Sequence, residues 1–268
     1  MATFRKKADP SAEKLRGGYY TPPALAKFLV SWAFDGRESD RKLEVLEPSC
    51  GDGAILRAMK DVSGTVTAVE LDAEEAQKAS ELNIGSVHNS DFFEWATRDS
   101  FGKFDVVIGN PPYIRFGNWR ESERVRALAF IAEEGLRPSK LTNAWVPFVI
   151  SSIRMAKPGG RVALVLPAEL LQVSYARETR KFLVEHCRHI TVVAFKKLVF
   201  DGILQEVVLL LAVVGEGPAL LGSVEVSDST FLSNLQIQQP HIPASTNHSE
   251  KWTTFFVGPS NVELIRLM

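Results

Sequence analysis

The sequence predicts an α/β fold, with a mostly parallel sheet, helices on both faces and an antiparallel strand near its C-terminal end. Three observations carry that prediction. From about residue 42 onward, short apolar runs alternate with helical patterns, the order that right-handed βαβ units produce. Runs such as "FDVVIG" and "RVALVLP" are nearly continuous in apolar residues, as strands covered on both faces are. The final two runs, "HITVVAF" and "EVVLLLAVV", are separated by about ten residues with no helix between them, so at least one of the pair runs antiparallel.

The elements follow in order. Residues 1–16 are basic and read as a flexible N-terminus. In "GGYYTPPALAKFLVSWAF", Thr21 is placed to cap a helix, Pro22 to open it, and Leu25, Phe28, Leu29 and Trp32 fall on one helical face. A strand over Leu43–Leu46, a loop and a helix over about Ala54–Lys60 come next. "TVTAVELD" is a β-branched strand and "AEEAQKASEL" a helix with a polar face. "SVHNSDFFEW" holds a short strand and a turn, and "KFDVVIGNPPY" a strand ending in two prolines. Residues 114–143 read as a long irregular stretch before the helix "AWVPFVISSIRMA". A further strand, the helix "YARETRKFLVEHC" and the two closing strands bring the core domain to an end near residue 214, giving a domain over 17–214. Residues 215–268 turn rich in Gly, Pro, Ser, Asn and Gln and read as a linker followed by a second unit begun but not finished.

Composition sets bounds on function. No apolar stretch reaches the ~18 residues of a membrane span, and no apolar h-region follows the basic N-terminus. Two distant cysteines, Cys50 and Cys187, argue against a disulfide framework or a zinc site and suit a cytoplasmic protein. The net charge of −1 does not by itself advertise a polyanion-binding surface, although a neutral total can hide a basic face.

The residues that carry chemistry sit at strand exits, where ligands of open α/β sheets bind. "LEPSCGDGAIL" supplies Gly51 and Gly53, which permit close backbone approach and positive φ; they also fit a plain strand–helix turn. Leu56 excludes the dinucleotide fingerprint, which needs a small residue there. Glu70 ends the next strand about 20 residues on, where an acid accepts from ribose hydroxyls. It could equally serve as an acid at a helix N-terminus. Asp91, beside Phe92, could read an exocyclic amine next to an apolar wall, or cap a helix. Glycines, a ribose acid and a base-reading acid in succession fit an adenosine cofactor without a pyrophosphate, S-adenosylmethionine. Asn110-Pro111-Pro112-Tyr113 cannot continue a strand, because neither proline has an N–H for the ladder.

"GGYYTPPALAKFL", "LEPSCGDGAIL", "AVELD", "NSDFF" and "FDVVIGNPPY" occur in that order. Together they resemble the motifs of the γ-group amino-methylating DNA methyltransferases, the N6-adenine enzymes of restriction–modification systems. The resemblance implies a Rossmann-like methyltransferase fold with S-adenosylmethionine as cofactor. It assigns Tyr20 and Thr21 to the methionine end of the cofactor and Glu47, Ser49 and Gly51 to its amino acid and sugar region. Glu70 takes the ribose, and Asp91 and Phe92 the adenine. Asn110, counted also in the cofactor pocket, and the Pro111 carbonyl would accept from the amino group of a flipped-out adenine, with Pro112 fixing the turn and Tyr113 stacking on the base. Phe200, or less favourably Phe195, would hold the base's other face. Arg115, Arg120, Lys196 and Lys197 are the expected nucleic-acid contacts; Arg124 and Arg126 lie in the same arginine-rich stretch, which also fits an ordinary salt-bridged helix. Asn143 falls at the substrate-loop position, and Cys50 is expected to pack.

The implied substrate is double-stranded DNA, in a bacterial or archaeal cytoplasm. The ~50 residues after Gly215 are too few for a target-recognition domain, so recognition is expected from a domain or subunit outside this chain. Two other readings stay open: the same chemistry on an RNA adenine or a protein glutamine, and a non-catalytic subunit that keeps the fold.

Overall fold

A computed structural model describes residues 20–37, 42–199, 206–244 and 251–253. Chain order gives α1 (Pro23–Phe34), β1 (Leu43–Glu47), α2 (Ala54–Ala58), β2 (Gly64–Glu70), α3 (Ala73–Ser80), β3 (Ser86–Asn89), α4 (Phe92–Trp95) and β4 (Phe104–Gly109). There follow α5 (Glu121–Glu133), α6 (Trp145–Met155), β5 (Ala156–Pro167), α7 (Arg177–His186), β6 (Cys187–Phe195), β7 (Val207–Val214), β8 (Leu220–Val226) and the two-residue β9 (Ile242–Pro243).

The strands form one sheet in the order β3-β2-β1-β4-β5-β7-β6-β8-β9. The first five neighbours are parallel, while β7 is antiparallel to both β5 and β6, as the missing helix between the last two apolar runs requires. Central strands are buried from end to end: all six residues of β4 are enclosed, which is why "FDVVIG" lacks an alternating pattern. Two apolar clusters cover the two faces. On one, Val69, Val107, Leu164 and Leu210 meet Trp145, Ile150 and Phe182 of α6 and α7. On the other, Val45, Ile108, Val165 and Leu209 meet Leu25 and Leu29 of α1 and Leu56 of α2.

Three expectations shift. The first helix starts one residue later than expected: Pro22 is its N-cap and Pro23 its first residue, and no side chain caps it. The stretch at 114–143 is not wholly irregular, because α5 occupies thirteen residues of it. The sheet also runs past residue 214, since β8 pairs in parallel with β6 over seven residues and β9 pairs with β8. Trp252 is buried in the same core.

The order of β1 and β4 positions the site. From β1 the chain winds outward through β2 and β3, then returns to lay β4 on β1's other side. Strand order therefore reverses between β1 and β4, and the loops leaving their carboxyl ends diverge to leave a crevice.

Candidate active site

The β1 exit loop is pinned by its own backbone. The Cys50 N–H donates to the Val69 carbonyl at 3.0 Å, and the Gly51 N–H to Glu70 Oε2 at 2.8 Å. Gly51 and Gly53 take left-handed backbones, with φ of 53° and 84°. At Gly53 a Cβ would lie 2.5 Å from Leu82 Cδ1 and 3.3 Å from Ala79 Cα, so a larger residue would have to displace the leucine side chain; at Gly51 it would meet only open space. Gly51 is thus bare on the side where a ligand approaches. Cys50 is buried, and burial pushes its thiol well above the ordinary range, consistent with packing and not nucleophilic chemistry.

Glu70 is held at both oxygens: Oε2 by Gly51 and Oε1 by the Asp72 N–H at 2.8 Å. Its carboxyl lies above its usual value because desolvation outweighs these bonds, and each oxygen keeps a lone pair for a further donor. Glu47, at the end of β1, is only 1% exposed, and its Oε2 is enclosed with no donor among the described residues. Burial, then the fields of Glu70 and Asp52, push its carboxyl well above the ordinary range. Enclosed without a donor and raised by two neighbouring acids, the Glu47 carboxyl would be relieved by a cationic partner. Thr21 is buried, and half-exposed Tyr20 donates its hydroxyl to Glu75 Oε1 at 3.2 Å.

The β4 exit loop meets this one directly, through Ser49 Oγ donating to the Asn110 carbonyl at 3.3 Å. Asn110 Oδ1 accepts the Tyr113 hydroxyl at 2.9 Å, and the Val165 carbonyl lies 3.0 Å from the same hydroxyl. One phenolic proton serves one acceptor at a time, so the hydroxyl bridges the turn to β5. Pro111 is buried, Asn110 and Pro112 half-buried, and the Tyr113 ring packs against both apolar clusters. The structure therefore brings together Tyr20, Thr21, Glu47, Ser49, Gly51, Glu70, Asn110, Pro111, Pro112 and Tyr113 at neighbouring carboxyl ends of β1, β2 and β4 and the start of α1.

Other expected site residues are placed differently. Asp91 caps α4, accepting the Phe93 N–H on Oδ1 at 2.8 Å, while Oδ2 takes Arg126 Nε at 3.0 Å and Nη2 at 2.8 Å. Phe92 is not an exposed wall for a purine. Capping turns it inward, where it is 3% exposed and stacks on Phe148 at 5.3 Å between ring centroids. Arg124 serves the protein, lying 4.4 Å over the Phe116 ring and donating to the Phe116 and Trp119 carbonyls. Lys196 and Lys197 are paired, each at 3.2 Å, with Glu225 and Asp228, because the β6–β8 register sets those acids alongside. Arg115 is exposed with no ion pair to a described residue, and Arg120 reaches Glu123 only at 3.5 Å. Asn143 is buried and accepts from the Trp145 N–H at 3.5 Å, at the head of α6. Phe195 packs against the core, and Phe200 lies outside the described residues. Sequence reasoning missed Arg126 as Asp91's partner and Tyr175, whose hydroxyl donates to Glu169 beside the β5 exit. Neither pairing had a local signal, since the partners are separated in sequence or by a turn.

The Eco57I restriction-modification methylase model matches residues 36–200. The chain belongs to this family. A Type II methyltransferase of Thermus thermophilus, M.TthHB8I, is 32% identical over 69% of this chain and 42% of its own length. M.HincII of Haemophilus influenzae is 24% identical over 92% of this chain and 47% of its own. The chain thus spans less than half the length of these relatives. Among solved structures, a DrdV–DNA complex aligns with a TM-score of 0.70 at 17% identity, over 92% of this chain and 32% of that one. A class I S-adenosylmethionine-dependent methyltransferase of Listeria monocytogenes aligns at 0.61 and 19%, over 78% and 66%. The fold is that of the S-adenosylmethionine-dependent methyltransferases. The donor set fits S-adenosylmethionine: Glu47 and Glu70 are acids suited to an ammonium and to ribose hydroxyls, and Gly51 has open space where a Cβ would stand.

Proposed function

We propose that this chain is the catalytic part of a DNA methyltransferase that methylates the N6 amino group of a flipped-out adenine. The observation that carries the reading is the hydrogen bond from Ser49 Oγ to the Asn110 backbone carbonyl, which ties the Asn-Pro-Pro-Tyr turn to the loop leaving β1 at the switch point. The bound cofactor supplies an electrophilic methyl group. The chain's own residues make the acceptor nitrogen reactive. An exocyclic adenine nitrogen is a poor nucleophile because its lone pair is delocalised into the ring. Asn110 Oδ1 and the Pro111 carbonyl, aimed at its two N–H bonds, favour a pyramidal nitrogen and localise that pair. Proline φ angles restrict the backbone that carries the Pro111 carbonyl, so reorganisation is confined largely to the Asn110 amide. The Tyr113 ring positions the base, and its hydroxyl yields Asn110 Oδ1 to the incoming amine.

No general base is required before attack, because the proton leaves after the methyl transfers. Flipping the base out of a duplex costs a few kcal/mol, roughly, which exposed Arg115 and Arg120 help offset through backbone phosphates. Among the described residues no helix is long and apolar enough to cross a membrane, and no cluster could hold a metal. The aligned part of this chain spans less than half the length of the relatives named above, and we assign site recognition to a domain or subunit outside it. The test is methyl transfer from tritiated cofactor to DNA, with the label recovered as N6-methyladenine. Asn110→Ala should abolish transfer while the protein still binds the cofactor. Label only in RNA or protein sinks the DNA assignment.

A further inference from the structure

We propose that Arg126 is a positioning residue for the cofactor's adenine, acting by holding the Asp91 carboxylate in the orientation that reads the exocyclic amine. The inference rests on the reading of Asp91 as the adenine acid and goes beyond it, because Arg126 lies 35 residues away on α5, in a stretch that otherwise reads as nucleic-acid-facing.

The geometry is specific. Two guanidinium nitrogens, Nε at 3.0 Å and Nη2 at 2.8 Å, converge on one oxygen of Asp91. The other oxygen receives the Phe93 N–H at 2.8 Å. The Asp91 side chain is 8% exposed and that of Arg126 39%, so the carboxylate sits inside and the guanidinium covers it from the rim. Fixed at both oxygens, the carboxylate has no rotational freedom left. The preceding residue ties this carboxylate to the site, since the Ser90 N–H donates to the Glu70 carbonyl at 3.0 Å; an acceptor held there discriminates for an amine and against a carbonyl. A freely rotating carboxylate would make the same hydrogen bond but would first lose that freedom on binding.

Nothing else described nearby could do this. Glu94 lies 3.9 Å from the same guanidinium and is mostly exposed, and Glu123 is an acid on Arg126's own helix. Both keep Arg126 in place without competing for the inner face of Asp91. The same helix is anchored at its start by Arg124, whose contacts with the Phe116 and Trp119 carbonyls tie α5 to the loop that follows Tyr113. Arg126 thus lies two residues from an anchored helix start.

The experiment measures preference, not activity. S-adenosylhomocysteine and its deaminated 6-oxo counterpart are titrated calorimetrically into the wild type, Asp91→Asn and Arg126→Gln. The wild type should favour the 6-amino ligand by about tenfold or more, since the 6-oxo group sets an acceptor against an acceptor. Both variants should lose most of that preference. Asp91→Asn losing it while Arg126→Gln keeps it, with both affinities falling equally, overturns the role of Arg126 and leaves Asp91 as the reader. Unchanged preference in Asp91→Asn, or none in the wild type, overturns the Asp91 reading and the proposal with it. Should Arg126→Gln not fold, Arg126→Lys keeps the charge but not the two-pronged grip: a reduced preference supports the proposal and an unchanged one overturns it.

Discussion

Replacing Glu47 with glutamine should make the free protein more stable and the cofactor bind more weakly, a pair of opposite effects that few other accounts of this residue produce. Glu47 is 1% exposed with Oε2 unpartnered, and its carboxyl is pushed well above its ordinary value by burial and then by Glu70 and Asp52. A carboxyl whose folded value is raised binds more protons folded than unfolded. Stability therefore falls as pH climbs from the unfolded value, about 4.3, through the folded one, and the full penalty remains above it. Glutamine removes the charge without changing the shape. At pH 8 the gain should be about 1–3 kcal/mol, since each unit by which burial raises the carboxyl costs the ionised folded state about 1.4 kcal/mol. For a domain of this size each kcal/mol moves Tm by about 2–4 °C.

The gain should shrink toward zero near pH 4, where both states carry a protonated Glu47. Cofactor affinity should move the other way, because the ammonium of the cofactor loses a charged acceptor worth about 1.5–3 kcal/mol, some ten- to a hundredfold in Kd. Thermal unfolding of wild type and Glu47→Gln at pH 4, 6 and 8 without cofactor, followed by calorimetric titration, measures both. A variant less stable at pH 8, or one binding S-adenosylmethionine as tightly as wild type, would refute the reasoning.

Other residues give independent checks. Tyr113→Phe keeps the ring and frees Asn110 Oδ1, so turnover should stay within about tenfold of wild type; Tyr113→Ala should lose about a hundredfold or more, read in single-turnover methylation. Gly51→Ala meets open space, so denaturant unfolding should show only the ~1–2 kcal/mol strain of a left-handed alanine while cofactor affinity collapses. Gly53→Ala sets a Cβ 2.5 Å from Leu82 and should destabilise the fold by more than Gly51→Ala does.

The β1–β7 framework was legible because buried strands carry their own apolar runs and two key exits their own punctuation: Gly51 and Gly53 after β1, the prolines at 111 and 112 after β4. Tertiary choices were not. Helix α5 hid because only Ala127 and Ile131 of its thirteen residues are buried, and Arg124 and Arg126 are committed to carbonyls and to Asp91 in place of an apolar stripe. Phe92 looked like a ligand wall because nothing local says that an aspartate cap turns the next residue inward. Lys196 and Lys197 looked available because their acids arrive only through the register of β8, some thirty residues on. Local sequence named the catalytic turn and the cofactor loop. Pairings across the sheet decided which charges remain exposed.

The central claim is that Asn110 and Pro111 activate an adenine amine in DNA, and nucleoside mass spectrometry tests it most directly. DNA is recovered from a methylation-free host expressing the protein in its full length, wild type or Asn110→Ala. The account predicts N6-methyldeoxyadenosine with the wild type and none with the variant, which still binds S-adenosylmethionine. Methylation that survives Asn110→Ala, or a methyl group found on cytosine, RNA or protein instead, would contradict it.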